Sequence, residues 1–205
     1  MVDTQKLIEI FVRMNEIIQR SSDYLTELDT PIGDGDMGAN LARGFKAVME
    51  KLPAMVEKDP GYILKVVGMT LASAVGGNSG VLYGSAFMKA GAAAVGKTEL
   101  DIGSFIYMLS EAITEIQRRG RASLGDKTML DAMIPALDAI KAAEGTPAQV
   151  LAEGLKAAQA GAEGTIEMKA RWGTAAYFGE RSIGHKDPGA ESFALLLSAI
   201  TECCG

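Results

Sequence analysis

The chain has 205 residues, a formal net charge of −6 and a pI near 4.9, and this length fits one domain over residues 1–205 better than two. An acidic chain without a run of Lys and Arg is unlike a nucleic-acid-binding protein, so we expect no nucleic-acid partner. The first residues, "MVDTQKLIEIFVRM", lack a basic segment followed by an uninterrupted apolar one. We therefore predict no signal peptide and a cytoplasmic protein.

Apolar residues recur at helical spacing along most of the chain. The first stripe predicts a helix from about Thr4 to the edge of the sequence "DTPIGDGDMGAN", and later stripes predict further helices. The stripes consist of Leu7, Ile10, Phe11, Met14, Ile17 and Ile18; Ile102, Phe105, Ile106, Leu109, Ile113 and Ile116; Leu130, Met133, Ile134 and Leu137; and Phe193, Leu196, Leu197 and Ile200. Turn-forming segments divide the chain into about eight helices with no convincing strand, which predicts an all-α bundle or barrel.

Residues 66–88 contain no charged residue and are long enough to cross a bilayer. The sequence "GGNSG" at residues 76–80 interrupts them and would leave backbone groups unsatisfied in lipid. We therefore predict two buried helices joined by a tight turn, and no membrane partner. This turn also offers N–H groups at a helix N-terminus, with Asn78 and Ser79 as further donors for an anion, although a plain turn explains it equally well.

Asp29, Asp34 and Asp36 are crowded into one short glycine-rich loop. Like charges this close repel unless a cation lies among them, and a set of oxygen ligands suits Mg²⁺ or Ca²⁺. An EF-hand does not fit, because Ala39 would occupy the position of its turn glycine. The pattern favours a Mg²⁺ site that also holds phosphate. The alternative is a turn whose aspartates cap the next helix, beginning near Asn40.

The sequence "GAAAVGKT" at residues 91–98 matches the phosphate-loop expression. A phosphate loop needs a strand before it and a helix immediately after it, whereas an Ala-rich helical segment leads into this one. We therefore predict the end of a helix, with Gly96 as its C-cap.

Residues 171–190 form the longest segment without a helical stripe, and a loop of this length in a small domain is typical of a functional element. Its His185 is the only histidine of the chain, and a hydrogen bond that fixes the loop is a more ordinary role for it than catalysis. Cys203 and Cys204 are adjacent, where an ordinary disulfide does not form. Zinc sites and Ser/His/Asp triads lack the necessary residues.

Four motifs, "GDGDMGAN", "GGNSG", "GDKTM" and "GERSIGHKDPGA", occur in the order and at the spacings of the DhaL family, the nucleotide-binding L subunit of bacterial dihydroxyacetone kinase. The chain resembles this family over essentially its whole length. The resemblance implies eight antiparallel helices in an up-and-down barrel, with ADP or ATP and two Mg²⁺ ions at one end. It also implies that Asp29, Asp34 and Asp36 bind the two metal ions.

The resemblance further implies a set of nucleotide contacts and no catalytic side chain, because the Mg²⁺ site assists the transfer. The contacts are Met37, Gly38, Ala39, Asn40, Asn78, Ser79, Gly120, Met129, Thr174, Asp187, Pro188 and Gly189. Two of them depart from the family pattern, which usually has His in place of Met37 and Arg in place of Thr174. Both of the usual side chains could donate to phosphate, so their absence either affects nucleotide binding, the acceptor or the partner, or is offset by Arg171 or Lys169 nearby.

In this family the L subunit transfers phosphoryl to dihydroxyacetone held by a separate K subunit. A phosphohistidine M subunit of the phosphotransferase system recharges the bound ADP. The present chain is too short to include a K domain, so we predict activity only with partner subunits, and a homodimer stays open. Two alternatives remain: a kinase subunit for another short ketose or polyol, and a non-catalytic regulatory protein with the same fold.

Overall fold

The computed structural model describes residues 1–204 as an all-helical protein. Its α-helices are α1 (Thr4–Asp29), α2 (Met37–Lys51), α3 (Pro60–Ala74), α4 (Gly77–Ala93), α5 (Ile102–Gly120), α6 (Leu130–Ala142), α7 (Pro147–Gly164) and α8 (Pro188–Cys204). Short 3₁₀ turns cover Leu52–Met55, Thr165–Glu167 and Thr174–Ser182. Strand-like pairing within residues 1–204 is limited to one bridge between Val2 and Leu100. The prediction of an all-α protein with about eight helices is confirmed.

The helices form a closed ring in chain order. Each helix packs against the next, and α8 returns to pack against α1. Because neighbouring helices run up and down, their connections fall alternately at two ends of the barrel. One end, which we name the site end, carries the connections 30–36, 75–76, 121–129 and 165–187. The opposite end carries the remaining connections, together with the start of α1 and the end of α8. The predicted up-and-down barrel is confirmed.

Glycines bring the backbones of α3 and α4 into close contact. Gly61 and Gly68 on α3 meet Gly91 and Gly84 on α4, and the two glycines of each helix are seven positions apart in the sequence. A Cβ atom added to Gly68 would lie 2.6 Å from the carbonyl oxygen of Gly84, and one added to Gly91 would lie 2.8 Å from that of Gly61. The uncharged segment 66–88 therefore belongs to a packed helix pair, as predicted. No helix of the described chain is long and apolar enough to span a membrane.

The barrel is hollow toward its opposite end. An apolar cavity of about 740 Å³ lies between the helices there. Its lining includes Phe11, Phe87, Met108, Leu151 and Leu197. Cys203 and Cys204 also line it, and the structure describes both as free thiols.

A buried carboxylate paired with two exposed arginines stabilises the last turns of α5, which end at the site end. Glu115 is 5% exposed and accepts hydrogen bonds from Arg118 at 2.8 and 2.9 Å and a further one from Arg119. The Arg118 guanidinium, followed by that of Arg119, lowers the pKa of Glu115 from its ordinary 4.5 to about 2, against the effect of burial. A carboxyl with a lowered folded pKa stabilises the fold fully above pH 4.5, and this stabilisation is lost as the pH falls toward 2.

We expect Glu115→Gln to lower the free energy of unfolding by about 1–2 kcal/mol at pH 7, a modest value because Arg118 is largely exposed. Urea denaturation at pH 7 and pH 3 measures it, and the difference from the wild type should shrink at the lower pH. Glu153→Gln, on the exposed surface of α7, is the matched control and should change little. A Glu115→Gln difference of equal size at both pH values would contradict the assignment.

Candidate metal and nucleotide site

Three carboxylates converge where α1 passes into α2. Asp29 is the last residue of α1, and Asp34 and Asp36 follow in the connection. One carboxylate oxygen from each residue lies within 4.8 Å of the other two. Gly33 allows this arrangement, because a Cβ atom there would overlap the Asp29 side chain and lie 2.9 Å from the Asp29 carbonyl oxygen. A compact cluster of carboxylate oxygens suits a hard divalent cation such as Mg²⁺.

Asp29 differs from the other two carboxylates because it is buried, at 7% exposure, whereas Asp34 and Asp36 are exposed. Burial raises the pKa of Asp29, and the neighbouring charge of Asp34 raises it further. The N–H groups of Asp36 and Met37 donate to Asp29 Oδ2 at 3.1 and 3.2 Å and oppose this rise. Asp29 therefore fixes the start of α2, at Met37 rather than near Asn40. A cation beside it would favour its ionised form, so the metal and capping interpretations are compatible.

The two ends of the barrel differ in how their helices begin. Helices α1, α3, α5 and α7 begin at the opposite end, where side chains of Asp3, Asp59, Asp101 and Thr146 accept hydrogen bonds from their first turns. Helices α2, α4, α6 and α8 begin at the site end. Asp29 accepts hydrogen bonds at the start of α2, Thr128 at the start of α6 and Asp187 at the start of α8, whereas the structure describes no side-chain cap for α4. An uncapped N-terminus presents N–H donors and the positive end of the helix dipole. The start of α4, at the site end, is therefore suited to an anion.

Asn78 and Ser79 lie in the uncapped first turn of α4. Gly76 and Gly77 begin this turn with φ of +77° and +57°, a left-handed conformation that glycine adopts without strain. Asn78 is exposed, so its amide is open to a ligand at the site end. Anion binding at this turn stays a prediction.

Arg43 joins this turn to α2. Its guanidinium donates to the carbonyl oxygens of Ala74 and Val75, both at 2.9 Å, and to Asn40 Oδ1 at 2.7 Å. Two of the predicted nucleotide segments, one around Asn40 and one around Asn78, are thus held together by a residue that the sequence did not single out.

The first turn of α2 places the predicted contacts in three different environments. The Met37 side chain is 7% exposed and packs into the core, so it is not a donor that replaces the histidine of the family pattern. Gly38 lies against α1, where an added Cβ atom would be 2.6 Å from Thr26 Oγ1. Ala39 is exposed. At this turn a ligand can meet Ala39, the half-buried Asn40 and the peptide backbone.

The starts of α6 and α8 meet at the site end. A Cβ atom added to Gly189 would lie 2.9 Å from Asp187 Oδ2 and 3.5 Å from Met129 Cβ. The Ala190 N–H donates to Asp187 Oδ2 at 2.7 Å, so Asp187 caps α8, and Pro188 is buried at its first position. Burial raises the pKa of Asp187 to about 7. The structure thus brings together Met129, Asp187 and Gly189.

A long loop, residues 166–184, extends at the site end between α7 and α8, and we name it the flap. The sequence predicted an ordered loop at residues 171–190. The flap contains the 3₁₀ turn Thr174–Ser182, and the predicted segment extends too far at its end, because α8 already begins at Pro188. Thr174 is exposed at the start of this turn. Gly120 ends α5 at the same end of the barrel. Gly120 and Thr174 thus lie at the same end as the other predicted contacts, but the structure describes no direct contact between them and those residues.

Sequence reasoning gave no role to Lys127 or Asp131, although both lie in or beside the motif "GDKTM". Each is 1% exposed. Asp131 accepts hydrogen bonds from the N–H groups of Gly125 and Thr128 and so fixes the connection 121–129. The sequence feature that could have indicated a role for these two residues is a lysine and an aspartate four positions apart beside a glycine turn.

The phosphate-loop match at residues 91–98 lies at the opposite end of the barrel. Helix α4 ends at Ala93 with Ala94 as its C-cap, so the helix ends earlier than predicted. Gly96 follows with φ of +75°, and α5 begins only at Ile102. The segment has neither a preceding strand nor an immediately following helix, and its distance from the carboxylates separates it from the candidate site.

Comparison with known proteins agrees with this geometry. The family model described as the DAK2 domain matches residues 31–202, which is most of the chain. The chain belongs to the DAK2 domain family. The resemblance that the four motifs carry is therefore confirmed.

Two curated relatives match this DAK2 domain over nearly its full length. The ADP-binding subunit DhaL of the PEP-dependent dihydroxyacetone kinase of Escherichia coli (strain K12) is 40% identical, over 95% of this chain and 94% of its own. The ADP-binding subunit DhaL of PEP-dependent dihydroxyacetone kinase 2 of Listeria innocua is 43% identical, over 92% of this chain and 89% of its own. Both relatives are named as subunits, which implies that each works with partner subunits.

A solved structure shares the fold of the DAK2 domain. It is the crystal structure of the dihydroxyacetone kinase from C. freundii in complex with AMP-PNP and Mg²⁺, with a TM-score of 0.72 and 26% identity. The match covers 96% of this chain and 33% of that one. The same barrel therefore occurs both as a separate subunit and as about a third of a larger kinase.

Proposed function

We propose that this DAK2 domain is the ADP- or ATP-binding subunit of a dihydroxyacetone kinase. One observation carries the proposal: the three converging carboxylates lie at the same end of the barrel as the uncapped N-terminus of α4. A cation and an anion can thus be held at one end, as a Mg²⁺-bound phosphate requires. The names of the two DhaL relatives support ADP as the ligand, and the C. freundii kinase, a complex with AMP-PNP and Mg²⁺, supports a nucleotide held with this metal.

Asp29, Asp34 and Asp36 would hold the metal, two Mg²⁺ ions in this proposal. Their fit is supported by the convergence of the three carboxylates, one oxygen of each lying within 4.8 Å of the others. Burial, and after it the charge of Asp34, raises the pKa of Asp29, and a bound cation would favour its ionised form. When bound, Mg²⁺ neutralises phosphate charge during phosphoryl transfer. The chain itself orients the nucleotide, with the N–H groups of the α4 first turn, Asn78 and Ser79 directed to the phosphates.

The other predicted contacts complete this proposed binding site. The segments 37–40 and 187–189, together with Met129, would form walls around the phosphates, sugar and base, and Gly120 and Thr174 would lie at its edge. No side chain of the site is proposed as a general acid or base. Catalysis by this subunit would then consist of positioning and charge neutralisation.

The phosphoryl acceptor in this proposal is dihydroxyacetone held by a separate K subunit. A phosphohistidine M subunit of the phosphotransferase system would recharge ADP without its release. The proposal places the protein in the cytoplasm, as a single domain with neither a nucleic-acid nor a membrane partner. A homodimer is not needed to complete the site, because each barrel supplies all of the residues named above.

Calorimetric titration of ADP with and without Mg²⁺ tests the nucleotide proposal, and native mass spectrometry shows whether ADP co-purifies. We expect binding that depends on Mg²⁺. If neither ADP nor ATP binds, the alternative of a regulatory protein with this fold replaces the proposal.

Phosphoryl transfer from ATP, assayed with the isolated chain and again with a K subunit, tests the division of labour. We expect no transfer to dihydroxyacetone by the isolated chain and transfer when the K subunit is added. Turnover by the isolated chain would contradict the need for a partner. Faster transfer to another short ketose or polyol in a substrate panel would identify the alternative acceptor.

A further inference from the structure

Lys127 is a buried cation at the site end that the proposed chemistry leaves without a role. It is 1% exposed, and its φ of +62° is a left-handed conformation that a non-glycine residue adopts at a cost. Its ammonium donates to the carbonyl oxygen of Thr165 at 2.6 Å and to that of His185. Lysine is rarely buried unless it is paired, so these contacts call for an explanation.

The two carbonyl groups belong to the two ends of the flap. Thr165 directly precedes the flap and His185 directly follows it. The Gly184 N–H donates to the carbonyl oxygen of Ile166 at 2.7 Å, which closes the flap at its base. Lys127, from the connection between α5 and α6, thus bridges both ends of a loop that belongs to a different part of the chain.

Thr165, which Lys127 contacts, also contacts the predicted nucleotide segment 187–189. Thr165 Oγ1 accepts a hydrogen bond from the Asp187 N–H at 2.9 Å, and Asp187 in turn caps α8. Burial lowers the pKa of Lys127, whereas the charges of Asp187 and Asp131 raise it. The two carboxylates therefore favour the protonated form of the buried lysine. Hydrogen bonds through Thr165 thus connect Lys127 to the start of α8.

We infer that Lys127 is a positioning residue for the nucleotide: it clamps the base of the flap and thereby sets the segment Asp187–Gly189. The nucleotide part of this inference rests on the proposed function. Without the ammonium, the carbonyl groups of Thr165 and His185 would be buried with one donor fewer, a loss that favours opening the base of the flap. The flap would then move relative to the barrel while the helices keep their packing.

Lys127→Met tests the inference, because it keeps most of the side-chain length and removes the charge and the donors. Trp172, the only tryptophan of the chain, lies in the flap at 41% exposure and reports on it directly. In the nucleotide-free protein we expect stronger acrylamide quenching of Trp172 in the variant than in the wild type. We also expect Mg²⁺-dependent ADP binding to weaken about ten-fold, the equivalent of one hydrogen bond from a charged donor.

Two variants serve as controls. Lys141→Met, on the exposed last turn of α6 at the opposite end, should change neither quenching nor binding. Lys127→Arg keeps a charged donor and should retain most of both properties, and an effect as large as that of Lys127→Met would overturn the role of the charge. Gly184→Ala strains the base of the flap at a φ of +89° and should raise quenching in the same direction, even if Lys127→Met does not fold.

Unchanged quenching and unchanged ADP affinity in folded Lys127→Met would overturn the inference. If Lys127→Met does not fold, unchanged quenching in Gly184→Ala would overturn it. Stronger quenching with no ADP binding by the wild type would support Lys127 as the clamp of the flap and overturn the proposed function instead. The fluorescence measurement needs no nucleotide, so the two failures are distinguishable.

Discussion

Asp34→Asn should abolish Mg²⁺-dependent ADP binding, with a loss of affinity of about 100-fold or more. Loss of a residue that only supports a metal ligand already costs up to about 100-fold, and the loss of a ligand itself should cost at least as much. The variant keeps the size of the side chain and removes one of the three charges that converge within 4.8 Å. Calorimetric titration of ADP at saturating Mg²⁺ measures the loss.

The choice of Asp34 separates binding from folding. Asp34 is exposed, and its charge raises the pKa of the buried Asp29, so its removal should leave the ligand-free protein at least as stable as before. The thermal shift caused by Mg²⁺ and ADP should disappear, whereas the melting temperature without ligands should not fall. Asp23→Asn, exposed near the same end of α1, is the control and should bind as the wild type does. Normal binding by Asp34→Asn would remove this residue from the metal site.

Gly68→Ala should destabilise the fold by about 2–3 kcal/mol, because the added methyl group cannot be accommodated without separating α3 from α4. The new Cβ atom would lie 2.6 Å from the Gly84 carbonyl oxygen and 2.7 Å from the Met88 backbone nitrogen. Backbone atoms at this distance cannot move aside as a flexible side chain would. Urea denaturation should show a lower midpoint with an unchanged slope.

Gly164→Ala is the matched control for this prediction. Gly164 is also helical, with φ of −58°, and a Cβ atom there would meet no other atom within 4 Å. Alanine should therefore stabilise the protein by about 0.5–1 kcal/mol through its helix propensity and the lower entropy of the unfolded chain. If both substitutions change the stability in the same direction and by similar amounts, the close approach of α3 and α4 is not what requires glycine at Gly68.

Much of the fold was readable from the sequence because it depends on local patterns. The stripe from Leu7 to Ile18 predicts α1, which begins at Thr4 as expected, and the breaks at Gly33 and Gly76 predict connections. The capping of α1 by Asp3 and of α7 by Thr146 was also recognisable in principle from the sequence, since each residue directly precedes a helical segment. Closure of the ring was not derivable in this way, because contacts between α1 and α8 leave no periodic signal in either helix.

The candidate site was predictable only in part. Three aspartates in one loop indicate a cation because their repulsion is evident from spacing alone. Lys127 could not be assigned, because a lysine is expected at the surface and its partners are backbone carbonyl groups, which carry no residue identity. Met37 shows a second limit: the family resemblance implied a ligand contact at this position, whereas its side chain is part of the core.

The closed ring also has a consequence for synthesis on the ribosome. Helix α1 and the aspartate loop emerge first, but the partner of α1 at the closure of the ring is α8, the last helix to be made. Until then the apolar face of α1 lacks one of its two neighbours, and Asp187 is absent. A nascent or truncated chain therefore cannot assemble the whole site, and uptake of nucleotide would mark chains whose translation has passed α8.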